Sequence, residues 1–457
     1  MKFRVSFILC VFCALWGESL FAAPPNIVVM IADDMGWEDS SPYGNAGVHT
    51  PNLARLAKSG MRFDKAFLVC SSCSPSRCSM ITGRFPHAHG AERLHAQLPA
   101  TQVTIAEKLR EAGYWAGAAG KWHLGKPTEA KFDKLMIDKE NGPSGCENWL
   151  PLLRARPKDK PFFAWLAAID PHRPYSNNAV SRHSPADVIV PPYLPNVPEV
   201  RSELALYYDE ISRLDSYVGE VLDELKIQGI EQNTFVLFLS DNGRPFPRCK
   251  TTVYDSGVRT PFLVRWPAGG VKPGSVCEHL VSSVDLAPTF AEIAGIPNSP
   301  TFQGKSFSPL LSDPSKPTRE YIYAEQNWHD YTARERSVRS ADFLYIRNIW
   351  NDLPGTPPAD AVKGDAFQAM RKLRNAGKLT PEQISQIFAK PRPKEELYDC
   401  RKDLHQMKNL ADSPVHRETL EKLRAELIRW QKETEDVEPA NRPVDEFDRE
   451  TGRSTKK

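Results

Sequence analysis

At 457 residues the chain is too long for one small core, so a large domain with a smaller companion is expected. Hydrophobic residues at 41% and charged residues at 25% are ordinary for a globular protein. A formal net charge of +2 argues against a nucleic-acid binder or a general polyanion receptor, so affinity for an acidic substrate has to come from a local site.

Residues 1–23 read as an export signal. Lys2 and Arg4 supply the positive region, Val5 to Trp16 the apolar run, and Leu20-Phe21-Ala22-Ala23 a small-residue cleavage site. The run is too short to span a bilayer comfortably, and no later stretch is apolar enough, so the expected protein is exported and free of the membrane. Neither Cys10 nor Cys13 follows a small residue at lipobox spacing. Cleavage leaves Cys70, Cys73, Cys78, Cys146, Cys249, Cys277 and Cys400; export permits disulfides, yet an odd number leaves at least one thiol unpaired.

Asn26 to Ala32 is an unbroken apolar, β-branched run, the pattern of a strand buried on both faces. Thr50-Pro51 opens a helix with Leu53, Leu56 and Ala57 on one face, closed by Gly60. Thr104 to Ala112 predicts a second helix, Trp115 to Ala119 a strand of small residues, and Phe162 to Ile169 another strand. Glu203 to Leu225 predicts a long amphipathic helix, followed by strands at Thr234 to Ser240 and Pro261 to Trp266. Alternating strands and helices point to an α/β domain on a mostly parallel sheet, placed at 24–335. Beyond it the texture changes, and 336–457 is expected to form an α+β subdomain with a small antiparallel sheet. Val338 to Asn348 and Glu396 to Asp399 are its strands, a Pro- and Lys-rich irregular stretch separates them, and Arg417 to Glu433 forms a helix. The last fifteen or so charged residues are expected to fray.

Ligands of open α/β sheets bind beyond the carboxyl ends of the strands. Asp33 and Asp34 follow the first strand, Lys121 and His123 the second, Asp170 and His172 the third, and Asp241 and Asn242 the fourth. Each taken alone suits a turn, a cap or a structural histidine. Together Asp33, Asp34, Asp241 and Asn242 form an all-oxygen set that suits a hard cation such as calcium, where zinc would call for His or Cys.

The most specific segment is Cys73-Ser74-Pro75-Ser76-Arg77, continued by Thr82-Gly83-Arg84. Cys-x-Pro-x-Arg followed by Thr-Gly-Arg resembles the signature of type I sulfatases, in the alkaline phosphatase superfamily. The resemblance implies an alkaline phosphatase-like fold and a maturation enzyme that oxidises Cys73 to formylglycine. It also implies a calcium ion held by Asp33, Asp34, Asp241, Asn242 and residue 73. Lys121 and His123 match the family's Gly-Lys-x-His motif, His172 its histidine near the leaving group, and Lys250 a lysine that grips the sulfate. In the mechanism so implied, Asp241 deprotonates a hydroxyl of hydrated residue 73, which attacks sulfur. Arg77 holds the residue-73 oxygen, Lys121, His172 and Lys250 neutralise the sulfuryl oxygens, and His172 protonates the leaving atom. His123 then takes the proton of the second hydroxyl, expelling sulfate. A helix starting at residue 73 would itself favour an anion.

Further segments, Val190-Pro191-Pro192-Tyr193, Asp241-Asn242-Gly243-Arg244-Pro245 and Trp430-Gln431-Lys432-Glu433-Thr434, resemble the branch of the family acting on N-sulfoglucosamine. That branch carries arginine where this chain has Lys250, the choice of the wider family. The implied partner is therefore a sulfated glycan, of heparan type with an N-sulfo group, with an O-sulfated polysaccharide as the alternative. A phosphatase or phosphonate hydrolase would call for paired metal-ligand histidines, and a non-catalytic glycan-binding protein for a missing catalytic residue; neither mark is present. Substrate specificity is expected from His87, His89 and His95 and from Asn327 and His329.

Overall fold

The computed structural model describes residues 23–137, 142–175 and 179–456, so the expected export signal, Ala23 apart, lies outside the described residues. The large sheet grows from β1 (Asn26–Ala32), whose apolar run faces both ways: Ile27, Val29 and Ile31 enter one core, and Val28, Met30 and Ala32 the other. The remaining strands are β2 (Met61–Phe67), β3 (Trp115–Gly120), β4 (Lys134–Met136), β5 (Phe162–Ala167), β6 (Thr234–Ser240), β7 (Phe262–Arg265) and β8 (Ser275–Ser282). Their order is β4-β3-β5-β1-β6-β7-β2-β8, and β7 runs antiparallel to both neighbours while the other pairings are parallel. The mostly parallel sheet flanked by helices is thus as expected. The sequence reading missed β2, β4 and β8. In β2, Arg62, Asp64 and Lys65 break the apolar run, and β8 closes the sheet at an edge with Val276 and Glu278 exposed.

The long helix spans Pro198–Ile227, five residues more at its start than expected, because Pro198 fits a first helical turn. A second sheet, β12-β11-β10-β9, is antiparallel and is built from β9 (Ile322–Gln326), β10 (Glu335–Arg339), β11 (Phe343–Asn348) and β12 (Glu395–Asp399). Its first strand precedes residue 335, where the sequence texture changes. Val338 to Asn348, read as one strand, is a hairpin: Ser340 turns the chain, its hydroxyl accepting from Asp342 and Phe343 N–H. Helix Arg417–Glu433 covers the sheet with Leu420, Leu423, Leu427 and Trp430, and Trp430 stacks on Tyr323 with centroids 4.9 Å apart.

Two expectations for this region fail. The stretch between β11 and β12 is not irregular: it holds helices Ala359–Lys363, Asp365–Asn375 and Pro381–Ile387. Ala366, Phe367, Ala369 and Met370 give the second a buried face, and Thr380 with Gln383 forms a capping box on the third. Nor is the tail frayed. Asp445 accepts from Thr332 N–H at 2.7 Å, Glu446 N–H donates to Asp330 O at 2.9 Å, and Glu450 pairs with Arg371 and Arg374.

A buried charge cluster ties the tail to the small sheet. Arg336 Nε lies 2.6 Å from Asp436 Oδ2, and its Nη2 lies 3.1 Å from Glu325 Oε2. His87 Nδ1 is 3.0 Å from Glu325 Oε1. His87, Glu325 and Asp436 could hold a metal by their spacing, but Arg336 already supplies the counter-charge.

Candidate active site

Because β1, β2, β3, β5 and β6 point the same way, the residues after their carboxyl ends gather at one edge. Gly120 makes the exit from β3 possible: its φ is +89°, and a Cβ there would sit 1.8 Å from Ala167 O. After β2 the chain reaches the helix Cys73–Thr82, all ten residues buried, with Gly83 in the left-handed conformation at its end. Ser72 does not cap this helix; its hydroxyl lies 2.7 Å from His329 Nδ1 instead. Ser74 Oγ accepts from His95 N–H at 2.8 Å, so the first turn also fixes the loop above it.

Cys73 Sγ lies 3.5 Å from Asp33 Oδ1. Burial pushes this thiol far above the usual cysteine range, with Asp33 and Asp241 adding to the effect against Lys121 and Lys250. A thiol held so high stays protonated and is a poor nucleophile. One turn on, Arg77 Nε donates to Asp241 Oδ2 at 2.7 Å, and its Nη2 stands 3.8 Å from Asp33 Oδ2. Lys121 pairs with Asp33, and Lys250 Nζ lies 2.6 Å from Asp34 Oδ1. Three carboxylates are thus matched by three cations in a buried site. Burial and the neighbouring Asp33 raise Asp241 to about 6, against Arg77. For Asp33 burial works upward, but Lys121, His172 and Arg77 together hold it well below the carboxylate range.

The oxygen set leaves two atoms unanswered. Asp34 Oδ2 and Asn242 Oδ1 are buried without a hydrogen-bond partner among the described residues. Asn242 turns its amide nitrogen to Asp34, and a half-turn of the amide would exchange the two atoms. Ligand atoms of Asp33, Asp34, Cys73 and His172 lie within 4.8 Å of one another, and Asp241 Oδ1 accepts from Asp34 N–H at 3.3 Å. Orphaned buried oxygens beside a carboxylate cluster are the chemistry a hard cation satisfies.

Above this floor is a cavity of about 660 Å³, onto which Cys73, Lys121, His123, His172 and Lys250 open, with His95 and His329 at its side. Burial, then Lys121 and Arg77, press His123 down to about 2, so its ring is neutral; its Nδ1 has no hydrogen-bond partner among the described residues. His329 is likewise held well below the usual range by burial and by Lys250. His172 Nε2 stands 3.8 Å from Asp34 Oδ2. Asp34, His95, His123, Thr251 and Asp330 all adopt positive φ, a concentration of backbone strain around the cavity. A larger open groove of about 820 Å³, with Lys305, Arg319 and Lys422 among acidic residues, shows no such convergence.

Of the five residues flagged for specificity, His95 and His329 line the cavity. His87 belongs to the Arg336 cluster, His89 lies under the Cys73 helix with Nε2 3.1 Å from Ser79 Oγ, and Asn327 Oδ1 accepts from Arg336. Sequence reasoning missed Arg173, Tyr175, Asp330, Asp360, Lys363 and Phe447, which also line the cavity. Asp330 directly follows His329 and Arg173 directly follows His172, the one signal that could have found them. All seven cysteines past the expected leader are free and buried.

The sulfatase family profile matches residues 25–148 and 144–296, and the C-terminal profile of N-sulphoglucosamine sulphohydrolase matches residues 248–351. Human N-sulphoglucosamine sulphohydrolase is 33% identical over 465 residues, covering 91% of both chains. The chain belongs to the sulfatase family. An ulvan-active sulfatase of Formosa agariphila is 31% identical to this sulfatase, covering 89% of this chain and 74% of the relative. A solved structure in complex with its substrate D-glucosamine-2-N,6-O-disulfate shares the fold, with a TM-score of 0.69 at 20% identity over 91% of this chain and 99% of that one. The protein is therefore a hydrolase of sulfuric esters or sulfamates. No helix of the described residues is long and apolar enough to cross a membrane.

Proposed function

We propose that this sulfatase removes the N-sulfo group from glucosamine at the non-reducing end of a heparan-type chain. The observation that carries the chemistry is the meeting of Cys73, Lys121, His123, His172 and Lys250 on the floor of one cavity, over Asp33, Asp34, Asp241 and Asn242. The substrate rests on the 33% identity to the human N-sulfoglucosamine enzyme across 91% of each chain.

Oxidation of Cys73 to formylglycine would supply a hydrated aldehyde as the nucleophile that the buried thiol cannot be. Asp33, Asp34, Asp241, Asn242 and residue 73 would hold a calcium ion, whose positive charge would polarise the sulfo group and offset the repulsion among the carboxylates. The remaining work falls to side chains. Arg77 holds Asp241 in place, and Asp241, beside residue 73, would accept a proton from its hydroxyl. Lys121 and Lys250 present ammonium groups to the sulfo oxygens, electrostatic stabilisation in a site of low dielectric. His172 opens onto the cavity and donates a proton to the leaving nitrogen. His123 opens onto the cavity with a ring nitrogen that has no partner among the described residues, and would take the proton of the second hydroxyl. The maturation enzyme that oxidises Cys73 is the one protein partner this scheme requires.

Lys250 and the ulvan-active relatives favour a second reading, an O-sulfated polysaccharide. Sulfate release from N-sulfoglucosamine-terminated heparan fragments, compared with O-sulfated oligosaccharides, separates the two. Activity confined to the O-sulfated sugars would refute the first.

A further inference from the structure

A carboxylate in a cavity built for an anion is an electrostatic cost unless something there requires it. Asp360 is such a group. It lines the cavity, its Oδ1 accepts from Ala361 N–H at 2.8 Å, and its Oδ2 is buried with no hydrogen-bond partner among the described residues. The nearby cations are engaged elsewhere. Arg173 donates to Glu203 and to Pro245 O, and Lys250 is paired with Asp34. Although burial works to raise it, Lys250, His172 and Arg173 keep Asp360 below the usual carboxylate range, so it is charged. Its position is built. Asp330 Oδ2 accepts from Ala359 N–H at 2.9 Å, fixing the start of the helix that carries Asp360, and Asp330 is itself held through its carbonyl by Glu446 of the tail. The other titratable groups near it are Asp330, His329, His95 and the exposed Lys363 at the rim, and burial lowers both histidines.

Given the N-sulfoglucosamine reading, we infer that Asp360 is the group that receives the amine released from the substrate, and so selects N-sulfo over O-sulfo substrates. Hydrolysis of a sulfamate breaks the S–N bond and leaves the electron pair on nitrogen. Water's oxygen goes to sulfur and both its protons to nitrogen, giving an ammonium and sulfate. An O-sulfate gives a neutral alcohol instead. A charged carboxylate with one unpartnered oxygen in the lining of the same cavity therefore stabilises the product side of one reaction and not the other.

The test uses the full, matured chain with Asp360→Asn, which keeps shape and removes charge, and Asp360→Glu, which keeps charge. Each is assayed on N-sulfoglucosamine and on 4-nitrophenyl sulfate, and for inhibition by glucosamine and by glucose. The ratio of kcat/KM on sulfamate to that on aryl sulfate should fall about 10- to 100-fold in Asp360→Asn, the range for a hydrogen bond to a charged group, and less in Asp360→Glu. The preference for glucosamine over glucose as inhibitor should fall with it. Equal losses on both substrates would overturn the inference. So would an equal weakening of glucosamine and glucose, which would make Asp360 a hydroxyl acceptor. A wild type that leaves N-sulfoglucosamine intact while hydrolysing O-sulfates would instead sink the substrate reading on which this rests.

Discussion

The cavity has two walls of different origin. The floor is made by residues that follow parallel strands, Asp33 and Asp34 after β1, Lys121 and His123 after β3, His172 after β5, Asp241 and Asn242 after β6. The opposite wall is made by His329 and Asp330 beyond β9, by Asp360, Lys363 and Gly364, and by Phe447 of the tail. The floor is fixed by a sheet whose core strands are buried on both faces. The far wall is held by tail and loop contacts: Asp445 to Thr332, Glu446 to Asp330, and Lys363 with Nζ 5.5 Å from the centre of the Phe447 ring. In the proposed reading the floor carries the chemistry and the separately anchored wall faces the rest of the ligand, a division that would let the wall set the substrate without altering the reaction.

Changes to the floor should remove chemistry. Cys73→Ala is expected to lower turnover by on the order of 10⁴-fold or more, the scale of deleting a nucleophile, with the circular dichroism spectrum and Tm retained. Asp33→Ala is expected to cost about 10³-fold and to abolish calcium retention in elemental analysis of the purified protein. Stoichiometric zinc in place of calcium would break the oxygen-ligand account.

Changes to the anchoring of the wall should show in stability first. Arg336→Ala removes the guanidinium that buried Glu325 and Asp436 share, leaving His87 beside the one and Arg334 beside the other, and should destabilise by about 3 kcal/mol, the lower end for breaking a buried pair, read from urea midpoints. Burial alone would raise Asp436, but Arg336 overrides it and holds the carboxyl well below its ordinary value. The stability this contributes is present above the unfolded-state value of about 3.9 and is lost as pH falls below it toward the folded value. Tm should therefore drop steeply below about pH 4, and Asp436→Asn should flatten that limb. The smallest effect belongs to the tail. Ending the chain at residue 441 removes Phe447 and the Asp445 and Glu446 contacts. KM for a sugar substrate should rise about tenfold, or ~1.4 kcal/mol, with a smaller change on an aryl sulfate that does not reach the wall.

The same division governs what was legible in the sequence. The strands carrying the floor were readable because full burial writes an unbroken apolar run, and their ends were marked by short polar clusters. Cys73-Ser74-Pro75-Ser76-Arg77 sits on a helix whose residues are all buried, and Cys73, Ser74 and Arg77 meet Asp33, His95 and Asp241. β2 and β8 were not readable, since charged side chains interrupt the one and solvent exposure the other. The helices between β11 and β12 were hidden by prolines that flank them and lie outside their interiors, Pro358 before the first and Pro381 in the first turn of the third. The tail looked like a solvated charge run because its order comes from tertiary partners, Arg371 and Arg374 for Glu450 and Thr332 for Asp445, which no local pattern announces. Asp360 was invisible for the same reason: it enters the cavity only because Asp330, thirty residues earlier, fixes the start of its helix.

The central claim is that the carboxyl edge of the large sheet works through an oxidised residue 73. Peptide mass spectrometry of the Cys73 segment, on protein produced with and without a formylglycine-generating enzyme and paired with sulfate release from the same samples, tests it most directly. Activity should scale with the fraction of residue 73 present as aldehyde or hydrate and vanish when that fraction is zero. Full activity with residue 73 present only as the thiol would contradict it.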